Sequence, residues 1–249
     1  MRKLTVGSLF SGIGGLERGL EMTGGFVTKW QVEIDKYART VLARHWPKVH
    51  RCGDVRDFPD MDDYQCDVLV GGFPCQPVSC AGQRGGADDE RWLWEDMRRV
   101  CEVVRPRWLV AENVRGLLSA DGGRLFGGIL RDLARLGFVV EWSLLSACSM
   151  GAAHSRERLF IVANSNGHRF QRGIGWAKES SNSDKILSQV RNTPTRARVN
   201  LPAPEFCRGA DGISHRVQRT KCLGNAVVPQ VAEWLGYRIL EVEAWRNCN

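Results

Sequence analysis

Across residues 1–163 short β-type runs alternate with helix-type stretches, and this alternation confines the chain to an α/β fold on a parallel sheet. Leu4–Phe10 and Phe26–Val32 read as strands. A glycine-rich turn between them opens a helix over Gly15–Met22, and Asp35 is placed to cap a helix that runs to His45. Cys66–Val70 reads as a short buried strand leading into a Gly/Pro-rich loop, and Trp108–Ala111 as another. Helices are predicted over Glu90–Val104 and Arg124–Leu136, with strands near Phe138–Leu144 and Arg158–Ala163. A last helix covers Val228–Ala244, where Pro229 is tolerated in the first turn.

Composition narrows the classes further. Hydrophobic residues make up 43% and charged residues 25%, which excludes wholesale disorder. No stretch approaches the roughly 18 apolar residues that span a membrane. Met1-Arg2-Lys3-Leu4 runs straight into a strand without a long apolar segment, so a soluble, intracellular protein with no secretory signal is expected. The nine cysteines include no C-x-x-C pair, and the five histidines add no zinc-ligand spacing. Neither a disulfide framework nor a metal site is expected, and most of these thiols should be inert.

The formal charge is +7, and its distribution is uneven. Residues 164–221 hold 11 basic and 4 acidic side chains, whereas residues 1–163 hold 22 and 21. Such a polar, Arg-rich segment is either a solvated loop or an element that binds a polyanion.

In open α/β sheets, ligands bind beyond the carboxyl ends of the strands. Phe10-Ser11-Gly12-Ile13-Gly14-Gly15 ends the first strand in a turn that lets a backbone approach a ligand. A nicotinamide fingerprint needs a third glycine where Glu17 stands, so the match to that class is poor. Glu33 ends the second strand and can take both hydroxyls of a ribose, and Asp54 could accept from an adenine amino group. Singly, each is also what a surface or capping acid looks like. Together they outline an adenosine pocket without a phosphate clamp. Cys75, in Pro74-Cys75-Gln76-Pro77, sits on a stiff loop just beyond a buried strand, which suits a nucleophile better than a core filler. Glu112 ends the next strand as a candidate acid. Arg156-Glu157-Arg158 alone would read as a surface ion-pair cluster.

At Pro74-Cys75-Gln76 followed by Glu112-Asn113-Val114, the chain resembles the cytosine-C5 DNA methyltransferases, bacterial and phage modification enzymes that use S-adenosylmethionine. The likeness runs in order along nearly the whole chain. It implies a Rossmann-like methyltransferase fold in which Phe10, Ser11, Gly12, Ile13, Gly14 and Gly15 form the cofactor loop. Glu33 with Ile34, Asp54 with Val55, and Pro74 and Leu93 would complete the cofactor site. Gly224-Asn225-Ala226-Val227-Val228 is similar to a C-terminal cofactor motif, which adds Asn225 and Ala226. Cys75 would be the nucleophile, Glu112 the cytosine-binding acid, and Arg156 and Arg158 the paired active-site arginines. The sequence differs from the family pattern in three places. Ser8 stands where an acid is often seen, His154 stands where Gln commonly begins the arginine motif, and the insert is short.

The resemblance divides the chain into a catalytic and cofactor-binding domain (1–163), a basic target-recognition insert (164–221) and a C-terminal segment completing the catalytic domain (222–249). Gln76, Ser79, Arg169, Arg172, Arg191, Arg196 and Arg198 become candidate contacts to double-stranded DNA. The implied reaction is methyl transfer to C5 of a flipped-out cytosine through a covalent Cys75 adduct, with no metal. A monomer in the cytoplasm of a bacterial or phage-infected cell follows, with a cognate restriction endonuclease as a possible partner. Two rivals stay open: a tRNA-directed enzyme and a catalytically silent DNA-binding relative.

Overall fold

A computed structural model describes residues 2–59, 62–74, 92–152, 154–165 and 216–246. Among these residues seven strands form one sheet: β1 (Leu4–Leu9), β2 (Phe26–Val32), β3 (His50–Cys52), β4 (Val68–Gly72), β5 (Trp108–Asn113), β6 (Val139–Ser146) and β7 (Glu157–Asn164). Their spatial order is β3-β2-β1-β4-β5-β7-β6. The helices are α1 (Gly15–Met22), α2 (Lys36–His45), α3 (Trp94–Val104), α4 (Arg124–Arg135), α5 (Arg216–Asn225) and α6 (Pro229–Arg246).

The parallel sheet read from the sequence carries one antiparallel strand. β1, β2, β3, β4 and β5 pair in parallel, but β7 runs antiparallel to both β5 and β6. A short apolar strand carries no direction in its own residues, and only the hairpin between β6 and β7 reverses it. The three-residue β3 was not anticipated either.

Strands covered on both faces lack the polar alternation of a half-exposed sheet. Leu69, Leu109, Ala111 and Ile161 face one core with Met97 of α3 and Ile129 of α4. Val68, Val70, Trp108, Val110, Phe160 and Val162 face the other, against Leu16 and Leu20 of α1 and Trp234, Leu235 and Ile239 of α6.

Local chemistry sets the helix ends. Asp35 caps α2 as predicted, its Oδ1 accepting from the amides of Tyr37 at 2.9 Å and Ala38 at 3.1 Å. α6 is fastened at the edge of the sheet where β5 begins. The buried Glu243 carboxylate accepts from Arg107, from Trp108 Nε1 at 2.9 Å and from Arg246 at 3.0 Å. Arg246 also donates to Asn164 Oδ1 at 2.5 Å. α5 crosses the expected boundary between residues 221 and 222, so that boundary falls inside a helix.

Among the described residues, no helix is long and apolar enough to cross a membrane. Within the same residues, no group of three or more His, Cys, Asp and Glu side chains could hold a metal ion. Burial pushes the Cys66 and Cys101 thiols up to about 12, which keeps them protonated and unreactive.

Candidate active site

A cavity of about 520 Å³ opens beyond the carboxyl ends of β1, β2, β4 and β5. That is a size suited to a small-molecule ligand. Of the predicted cofactor residues, Phe10, Ser11, Gly12, Gly15, Glu33, Ile34, Asp54, Val55, Pro74, Leu93, Asn225 and Ala226 line it; Ile13 and Gly14 do not. Glu112, Arg156 and Arg158 line the same cavity. Cys75, Gln76, Ser79, Arg169, Arg172, Arg191, Arg196 and Arg198 lie outside the described residues.

The turn after β1 is built from left-handed backbone, with φ of 52° at Phe10, 57° at Gly12 and 85° at Gly14. Gly15 starts α1 directly beneath the C-terminal motif. A Cβ there would stand 2.4 Å from the Val227 carbonyl oxygen, so only glycine lets the two backbones meet. Glu33, 9% exposed, accepts from the Gly12 amide at 2.6 Å through one oxygen and from the Asp35 amide at 2.7 Å through the other. Both oxygens keep lone pairs for a diol.

Asp54 is placed differently from a free acceptor. Its carboxylate takes Arg56 Nη2 at 2.6 Å and Nε at 3.0 and 3.1 Å, and it also accepts from the Arg56 amide at 3.0 Å. These bonds hold its pKa below the usual carboxylate range. A purine amino group would share this carboxylate with Arg56. Phe10, Val55, Pro74 and Leu93 give the cavity apolar walls, and Ile34 leaves 63% of its surface exposed at the rim.

Reversal of β7 assembles the second half of the site. Because β7 begins at the edge where β5 ends, with Asn113 opposite Leu159, Arg158 arrives beside Glu112. Arg158 Nε is 3.0 Å from Glu112 Oε1. The contact is an ion pair without hydrogen-bond alignment, and Oε1 has no hydrogen-bond partner among the described residues. Burial pushes the Glu112 carboxyl up to about 7, against the opposing pull of Arg158 and Arg156. A proton-holding acid with an unsatisfied oxygen is suited to grip a ring nitrogen or amino group. Gly72 lies opposite Glu112, where a Cβ would come within 3.0 Å of Oε2.

Neighbouring polar groups fix the two loops. Asn113 Nδ2 donates to the Phe73 carbonyl at 3.1 Å, holding the chain where it enters the Pro74 loop. Arg156 donates to the Gly224 carbonyl at 2.5 Å, joining the arginine pair to the C-terminal motif. Desolvation and the nearby Arg158 lower the Arg156 pKa.

Lys221, Cys222 and Arg56, which the sequence did not single out, stand on the cavity wall, as does Asp35, which it marked only as a helix cap. Lys221 Nζ is 3.2 Å from Asp35 Oδ2, bridging α5 to the N-cap of α2. Nothing local marks Lys221; only the return of α5 to the cavity does.

The C-5 cytosine-specific DNA methylase family model matches residues 4–201. The chain belongs to this family. Within this family, the chain is 36% identical over 206 residues to the type II methylase M.HgiEI of Herpetosiphon aurantiacus, covering 79% of this chain and 43% of that protein. It is 39% identical over 165 residues to the type II methyltransferase M.BsuFI of Bacillus subtilis, covering 64% and 39%. In both comparisons the chain spans less than half the relative's length. Among solved structures, a proposed DNA modification methyltransferase from an Escherichia coli prophage superposes with a TM-score of 0.56 at 27% identity, covering 65% of this chain and 47% of that one. A DNMT2 mutant from Spodoptera frugiperda superposes with a TM-score of 0.55 at 20% identity, covering 66% and 51%, which supports the fold alone.

Proposed function

We propose that this chain is a DNA cytosine-C5 methyltransferase that uses S-adenosylmethionine. The observation that carries this reading is the Glu112–Arg158 pair sharing one cavity with Glu33. An adenosine-type site and an acid–arginine site stand side by side at one sheet edge.

The donor set fits the cofactor. Glu33 presents a carboxylate with free lone pairs to a ribose, and Ile34, Val55, Leu93 and Phe10 supply apolar faces for an adenine. Gly12, where an added Cβ would meet nothing within 4 Å, leaves open space above the turn. When bound, S-adenosylmethionine supplies an electrophilic methyl group.

Cytosine C5 is a poor nucleophile, and Cys75 remedies this. Its thiolate adds to C6, forming the Sγ–C6 bond and moving the C5–C6 π pair toward C5. Glu112 holds N3 and the exocyclic amino group, and its proton stabilises charge developing on the ring. Arg158 holds the pyrimidine carbonyl oxygen, and Arg156 supports it from the Gly224 carbonyl. Once C5 is methylated, its proton passes to water and the Sγ–C6 bond breaks, returning the thiolate and leaving 5-methylcytosine. A stacked base cannot enter such a cavity, so the target is flipped out.

In this reading residues 1–163 catalyse, 164–221 contact duplex DNA, and 222–249 complete the cofactor site. Gln76, Ser79, Arg169, Arg172, Arg191, Arg196 and Arg198 are the proposed DNA contacts, in a chain acting as a cytoplasmic monomer, with a cognate restriction endonuclease as a candidate partner. Incubating the protein with labelled S-adenosylmethionine and either mixed-sequence duplex DNA or tRNA, then mapping 5-methylcytosine at base resolution, tests it. Methylation of one short DNA motif is expected. Label in tRNA alone would redirect the reading to RNA, and cofactor binding without transfer would leave a silent relative.

A further inference from the structure

Beneath the glycine turn lies a fully buried polar cluster that neither half of the site uses. Ser8, Glu17 and Gln31 are all at 0% exposure, and Glu17 is the only acidic side chain among the described residues so deeply enclosed. Ser8, near the end of β1, is in register with Gln31 of β2. Gln31 Nε2 donates to Glu17 Oε1 at 3.3 Å, and Arg51 donates to Gln31 Oε1 at 3.2 Å. Ser11, which lines the cavity, donates to Ser8 Oγ at 2.9 Å. The Glu17 carboxyl faces the Ser8 and Ser11 hydroxyls, while its Oε2 has no hydrogen-bond partner among the described residues.

We propose that Glu17 is a positioning residue that sets the Phe10–Gly15 turn from below, acting on the cofactor through Ser8 and Ser11. This rests on reading that turn as the cofactor loop. Burying an acid with no ion-pair partner among the described residues is unfavourable, and an apolar residue of similar size would suit the core better if packing were its task. Desolvation raises the Glu17 pKa, which favours the protonated form that can donate as well as accept. It also stands against Ser8, one of the places where the sequence departs from the family pattern, so the polar contact under the turn is supplied here by a helix residue.

The test measures S-adenosylmethionine affinity by calorimetry, together with melting temperature, on the full chain. Glu17→Gln keeps the polar contacts and should stay within about threefold of the parent, whereas Glu17→Leu and Glu17→Ser should weaken binding about tenfold. Glu17→Leu should melt no lower than the parent. The double variant Ser8→Asp/Glu17→Ser should regain most of the lost affinity. Parent-like binding by Glu17→Leu, or a double variant no better than Glu17→Ser, overturns the proposal. Binding that falls only in step with melting makes Glu17 a packing residue and overturns it too. A parent protein that binds no S-adenosylmethionine overturns the cofactor reading itself.

Discussion

Arg158 Nε stands 3.0 Å from Glu112 Oε1, yet the carboxyl it faces keeps its proton to about pH 7. Desolvation outweighs the cation here. In the unfolded chain the same carboxyl titrates near 4.5, so the folded state holds this proton more tightly. The contribution is fully present below about pH 4.5 and is lost progressively as pH rises to about 7, above which the curve is flat. Melting curves of the parent should therefore fall relative to Glu112→Gln over that window. Parallel curves would mean that Glu112 is already ionised when folded.

Gly15→Ala forces a Cβ to within 2.4 Å of the Val227 carbonyl oxygen. Since backbone cannot swing aside as a side chain can, a destabilisation of about 1–3 kcal/mol is expected by urea titration. Cofactor affinity should fall with it, because the C-terminal motif is pushed off the turn.

Glu243→Leu leaves Arg107 and Arg246 facing an apolar side chain where both now meet a carboxylate. A buried pair broken from one side costs about 3 kcal/mol or more. Chemical denaturation should show this loss, with α6 detaching from the lower edge of the sheet. A change under about 1 kcal/mol would mean that the network is merely decorative.

Lys221→Met removes the bridge to Asp35. The lysine side chain is 66% exposed, so the pair is worth at most about 1 kcal/mol and the loss of cofactor affinity should stay below about fivefold. Calorimetry at low and high salt should show the difference between parent and variant shrinking as salt rises.

Much of the fold was legible because strands buried on both faces write themselves as apolar runs, as in Val68–Val70 and Trp108–Ala111. Asp35 was legible because capping chemistry is local. Direction was not, since the residues of β7 would fit a parallel ladder as well as an antiparallel one. The site was read through residues at strand ends, such as Glu33 and Glu112. Residues recruited by long-range return, such as Lys221, left no such mark. Asp54 shows a third case: a residue two positions away, Arg56, occupies the carboxylate assigned to adenine.

The antiparallel β7 also gives the two ends of one strand different work. At its start Arg158 stands on the cavity wall, one residue before Leu159, which lies opposite Asn113 at the end of β5. At its finish Asn164 lies opposite Trp108, the first residue of β5, and accepts from Arg246 of α6 at 2.5 Å. One rigid strand therefore yokes the arginine of the cavity to the anchorage of the last helix.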